Sequence, residues 1–126
     1  MNYSLKEEGD GIVLMVQHGR LSFEEREDIF RKLHDIKEKR GRFYLVADVS
    51  NGTIPDAASR ALMRREMHLL SNAIEHSAVV FGKNMVTRTV ATLFSRLLPI
   101  PMSFYPSVDE AYEACRLVQE KRRAVV

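Results

Sequence analysis

Asp48, Ser50, Lys83 and Asn84 are the side chains best placed by the sequence to do chemistry. Asp48 and Ser50 follow a short apolar run at residues 43–47, and Lys83 and Asn84 follow another at 77–81. Runs of this length without clean alternation read as strands covered on both faces, the pattern of a parallel sheet. Parallel strands bring their carboxyl ends to one edge, where α/β domains bind ligands. His18, Gly19, Gly82, Tyr105 and Ser107 fall on the same expected edge. Such an edge could hold a small anion or an acyl ligand, with helix N-termini and Lys83 supplying positive charge. The commoner use of Asp48 and Ser50 is to accept hydrogen bonds from nearby loop N–H groups, and that is the role expected of them. Gly82-Lys83-Asn84 lacks the further glycines and the Lys-Ser/Thr pair of a phosphate loop.

No catalytic set accompanies these residues. His18, His34, His68 and His76 are scattered, and none has the i, i+4 partner or neighbouring cysteine of a zinc site. His18 has no nucleophile paired with it. The expectation is a domain without catalytic residues, metal or cofactor that works by binding. The single Cys115 excludes an internal disulfide and reads as a small packed residue of the last helix.

The elements that must position these groups alternate along the chain. Residues 3–7 predict an edge strand, Gly9-Asp10-Gly11 a hairpin turn, and 12–17 a second strand. Ser22 and Glu25 have capping-box spacing ahead of a helix that turns Phe23, Ile29, Phe30, Leu33 and Ile36 to one side and ends at Gly41. After the strand at 43–47, Thr53 and Asp56 suggest a second capping box, with Pro55 near the first turn of a helix reaching residue 71 or 72. That helix carries two apolar rows, Ala58, Leu62, Leu69 and Ala73, and Met63, Met67, Leu70 and Ile74. A strand at 77–81, a helix at 85–98 stopped by Pro99-Ile100-Pro101, and a strand at 102–105 follow. Ser107 and Glu110 cap a last helix to about residue 121, beyond which the tail is expected to fray. The order is a hairpin and four βα units, hence a mostly parallel sheet flanked by helices in one domain over residues 1–126.

Composition sets the outer bounds. A chain of 126 residues, 45% apolar and 29% charged, can bury a core without metal or disulfide. Its net charge of +2 is too small to argue for nucleic acid. No apolar run approaches a membrane span, and the first residues are too polar for a signal peptide. A cytoplasmic location is the expectation, with which one cysteine agrees.

Around Asp48-Val49-Ser50 and Asp56 the chain resembles the STAS/SpoIIAA-like family, the anti-sigma-factor-antagonist domains. Their pattern is Asp-apolar-Ser-Gly, then apolar residues, then Asp-Ser-Ser-Gly opening a helix. More loosely it resembles the CRAL-TRIO lipid carriers. Residues 76–115 are similar to small stand-alone bacterial STAS/SEC-fourteen-like proteins, with a Val-Val-Phe-Gly strand, an amphipathic helix, a Pro-rich break and a Glu-Ala helix. The resemblance implies a SpoIIAA-like α/β fold. In the antagonists a serine after the second aspartate is phosphorylated. Those serine positions are Ala57 and Ala58 here, and the glycine position is Ser59. The usual phospho-serine switch is therefore not expected, leaving Ser59 and Thr53 as the nearby hydroxyls.

The expected function is a non-catalytic interaction module of bacterial signalling, self-associating as a homodimer and meeting a protein partner of unknown identity. The contact candidates are Asp48, Ser50, Asn51, Thr53, Asp56, Ser59, Lys83 and Asn84 at the strand ends. Met63, Met67, Met85, Leu93, Phe94 and Leu97 form a helical surface, because the stripe on residues 85–98 is wider than one packing face needs. The alternative is a small-molecule or lipid carrier of CRAL-TRIO type. It needs a cavity between sheet and helices, for which a chain of this size with a full core leaves little room.

Overall fold

The computed structural model describes residues 2–125. Strand β1 (Tyr3–Glu8) turns through a 3-10 segment at Gly9–Gly11 into the antiparallel strand β2 (Ile12–Gln17). From there the chain alternates: α1 (Phe23–Arg40), β3 (Phe43–Asp48), α2 (Ala57–Leu69), β4 (Ile74–Val80), α3 (Met85–Ser95), β5 (Met102–Tyr105) and α4 (Val108–Val125). The strands form one sheet in the order β1-β2-β3-β4-β5, parallel from β2 onward.

That order decides where the helices go. Each crossover steps one strand in the same direction, and right-handed crossovers then place their helices on the same face. One core cluster accordingly joins Ile29, Phe30 and Leu33 of α1 and Leu62 and Met67 of α2 to Val13, Phe43 and Leu45 of the sheet. Helix α4 covers the opposite face, where Ala111 and Cys115 meet Ile12, Tyr44, Val46, Ala78 and Val80. Residues alternate between the two faces along each strand, so β3 gives Phe43 and Leu45 to one cluster and Tyr44 and Val46 to the other.

Local signals act as read at several termini. Ser22 Oγ accepts from the Glu25 N–H at 3.1 Å while the Glu25 carboxylate accepts from the Ser22 N–H at 3.2 Å, a complete capping box. Gly41 ends α1 with φ of +83° and donates its N–H to Lys37 O at 2.8 Å. Ser107 Oγ accepts from the Glu110 N–H at 3.3 Å at the start of α4.

Five expectations need correction. The cap of α2 is Asp56, whose carboxylate accepts from the Ser59 N–H at 2.8 Å, so Thr53 lies in the preceding loop and Pro55 precedes the cap. The buried side of α2 draws on both expected rows, Leu62 from one and Met67 from the other with Ser59 beside them, and leaves Ala58 and Leu69 exposed. Strand β4 begins at Ile74, three residues early, and α3 stops at Ser95 rather than at residue 98. The tail stays helical through Val125, because Arg122 of α4 pairs with Glu75 of β4 and holds the last turns to the sheet. Val126 lies outside the described residues.

Candidate functional site

At the carboxyl edge of the sheet, polar groups serve their own loops. Asp48 Oδ1 accepts from the Ser50 N–H at 3.1 Å and from Ser50 Oγ at 2.6 Å. Asn84 Oδ1 accepts from the Thr87 N–H at 3.1 Å and caps α3. Ser50 does meet the β4 loop: a side chain at Gly82, whose φ is +60°, would fall 2.9 Å from Ser50 Cβ. Only glycine suits that conformation and that approach. Asn51, Thr53 and Lys83 are exposed, while Ser59 is buried at 3% exposure. His18 contacts Ser4 Oγ at 3.3 Å, on the β1 side. Among the described residues no three metal-ligating side chains of His, Cys, Asp or Glu converge.

The larger feature lies beneath this edge. Between the sheet and helices α1, α2 and α3 is a cavity of about 170 Å³. Met15, Leu45, Ala47, Val79 and Phe104 form its floor, and Phe30, Leu33, Met63, Met67, Val90 and Phe94 its walls. It runs from Gln17 and the Thr53-Ile54-Pro55 loop, at the carboxyl ends of the strands, toward Leu98 and Met102 at the other end. Leu45 to Val49 alone spans about 13 Å at ~3.3 Å per residue. The room exists because α3 stands off from the sheet: none of its residues is buried. Val90, Ala91 and Phe94 line the cavity, while Met85, Val86, Leu93 and Leu97 are each more than half exposed. The core on this face is built under α1 and α2 and is left open beneath α3.

Two arginines line the cavity: Arg60 is exposed and donates to Pro55 O at 2.7 Å, while Arg26 is built into the wall. Arg26, on the first turns of α1, is buried at 8% exposure. Its Nη1 approaches Met63 Sδ at 3.7 Å, and among the described residues its Nε has no hydrogen-bond partner. Burial pushes its pKa below the usual guanidinium value, partly countered by the Asp56 charge. The Asp56 carboxyl is itself held low, chiefly by the Ser59 N–H and then by the Ser59 side chain.

On the opposite side a shallow, wider groove of about 750 Å³ follows α4 and the β1–β2 turn. Glu8, Asp10, Asp109, Glu113 and Glu120 line it with Arg116. Tyr112 in this groove has its pKa raised to about 12 by burial first and by Glu8 second. Nothing in it resembles the enclosed apolar wall beneath α3.

No family model matches the chain, and no curated protein does. Among solved structures it is similar to an uncharacterized protein of the DUF3478 family with a SpoIIAA-like fold from Shewanella loihica PV-4. The TM-score is 0.71, at 10% identity over 90% of this chain and 91% of that one. The fold is SpoIIAA-like. In this SpoIIAA-like fold Ala57 and Ala58 open α2 and are exposed. No helix among the described residues is long and apolar enough to cross a membrane.

Of the candidate residues, Met63, Met67, Thr53 and Phe94 meet at the cavity, while Met85 and Leu93 lie on the outer side of α3 and Leu97 just past its end. Arg26 was missed because residue type alone assigns an arginine to solvent. Its spacing carried the signal: it precedes Ile29 by three, Phe30 by four and Leu33 by seven, on the apolar stripe.

Proposed function

We propose that this SpoIIAA-like domain acts by binding, and that its ligand is a small, largely apolar molecule held between the sheet and helices α1–α3. The observation that carries this reading is the cavity itself, whose wall is apolar apart from a few groups. The space opens to solvent beside Thr53, Ile54 and Arg60, which gives a ligand a way in. Ala47 and Ala91 border the space where larger residues would close it. A ligand that fills it adds stability by mass action and fixes the distance of α3 from the sheet.

The test sets wild type beside Ala91→Phe, which puts a ring into the cavity from α3. Wild type is expected to bind octanol in calorimetry, and the plugged variant to keep its melting temperature and lose binding. Absence of binding by wild type, or equal binding by the plugged variant, contradicts the reading.

The outer side of α3 favours a second reading, the self-associating interaction module. Met85, Val86 and Leu93 on α3 and Leu97 just past its end stand exposed at 53–63%, and the other side of the helix lines the cavity. Contiguous apolar surface of this kind suits a partner or a second copy. The two readings join if ligand occupancy sets the position of α3 and so the shape of that surface, the arrangement of a small regulatory sensor.

A further inference from the structure

We propose that the cavity takes a single-chain monocarboxylate, its head group on Arg26 and its chain running under α3. This rests on the cavity reading above and names the class of ligand.

Buried charges are ordinarily paired, because an isolated one loses its hydration without return. Arg26 breaks that rule. It is nine-tenths buried, its Nε is unpartnered among the described residues, and its Nη1 contact is a thioether, a weak acceptor. The nearest source of negative charge acting on it, Asp56, is committed to the Ser59 N–H at 2.8 Å as the cap of α2. A guanidinium offers Nε–H and an Nη–H side by side, the fork that a carboxylate accepts with both oxygens. Apart from Gln17, Thr53, Arg60, Ser77 and Thr87 the rest of the lining is apolar, with Leu45, Val79, Phe94 and Met102 along the path away from Arg26. Charge at one end and an apolar channel beyond it describe an amphiphile. The volume of about 170 Å³ is below the ~300–1,000 Å³ of usual ligand sites, which limits the occupant to one chain of modest length. The Asp56 charge already acts on Arg26 and disfavours a second negative charge on the head group.

Octanoate, octanol and octyl phosphate share a chain and differ in head group. Calorimetry at neutral pH is expected to give octanoate at least about tenfold tighter binding than octanol to wild type, as charge-assisted hydrogen bonds provide. Octyl phosphate is expected to bind less tightly than octanoate. In Arg26→Met the octanoate preference is expected to vanish while octanol still binds. Equal binding of octanoate and octanol by wild type overturns the carboxylate assignment and leaves the cavity reading standing. Tighter binding of octyl phosphate overturns it in the same way, as does a preference that survives in Arg26→Met. If neither octanoate nor octanol binds, both readings fall. Should Arg26→Met fail to fold, the wild-type comparison decides alone.

Discussion

The two faces of the sheet are built from the same strands and end up packed differently. Under α4, Ile12, Val46, Ala78 and Val80 meet Ala111 and Cys115, and all six are within 2% of complete burial. Small residues on α4 let its axis approach the sheet closely over β3, β4 and β5, and the shallow groove is left toward the β1–β2 turn. The thiol of Cys115 shows the result: burial pushes its pKa up to about 11, which leaves it a packed, unreactive group at neutral pH. On the other face three helices must share the sheet. Helices α1 and α2 seat their apolar rows, but α3 is fixed mainly by its ends, the Asn84 cap and the buried Ile100 in the Pro99-Ile100-Pro101 turn. The gap left beneath it is the cavity. Both faces hold a buried core, the larger one under α1 and α2, and the part left open beneath α3 is where binding can occur.

The same substitution on each face should separate them. Ala111→Phe forces a ring into a filled layer and is expected to destabilise by about 1–3 kcal/mol or more. Ala91→Phe enters open space and is expected to be neutral or stabilising. Chemical denaturation of the two variants measures both, and equal losses would mean that the cavity face is as full as the α4 face.

Acid should reach the two faces at different pH. Burial holds the His76 imidazole, beside Ser103 on the α4 face, below its ordinary 6.5. The folded state therefore resists its protonation, and stability falls as pH drops below 6.5 toward the lowered value. The caps of α1 and α2 respond later. Glu25 is lowered from 4.5 by the Ser22 and Asn2 N–H groups, and Asp56 from 3.8 chiefly by the Ser59 N–H. Their contribution is present above those values and is lost as pH falls through the lowered ones. Melting temperature against pH should show two stages, the first removed by His76→Gln and the second reduced by Asp56→Asn. A single stage unaffected by His76→Gln would count against the burial assigned to that ring.

Much of the fold was legible because its signals are local. The two capping boxes at Ser22 and Ser107, the Gly41 stop and the alternation of strands and helices need only a few neighbouring residues. The phase of α2 was not legible, because two apolar rows compete on it and tertiary contact with α1 selects Ser59, Leu62 and Met67. The strand-end residues were found, and their hydrogen bonds turn out to be spent on their own loops. The cavity could not be read at all. It depends on how far α3 stands from β4 and β5, a distance that no residue of α3 encodes alone.

The six methionines offer the most direct test of the cavity reading. Met15, Met63, Met67 and Met102 line the cavity, while Met85 lies on the outer side of α3. Methyl NMR of selectively labelled protein titrated with octanoate is expected to move those four resonances and leave Met85 in place. Shifts confined to Met85, or no shift at all, would contradict a ligand held between the sheet and its three helices.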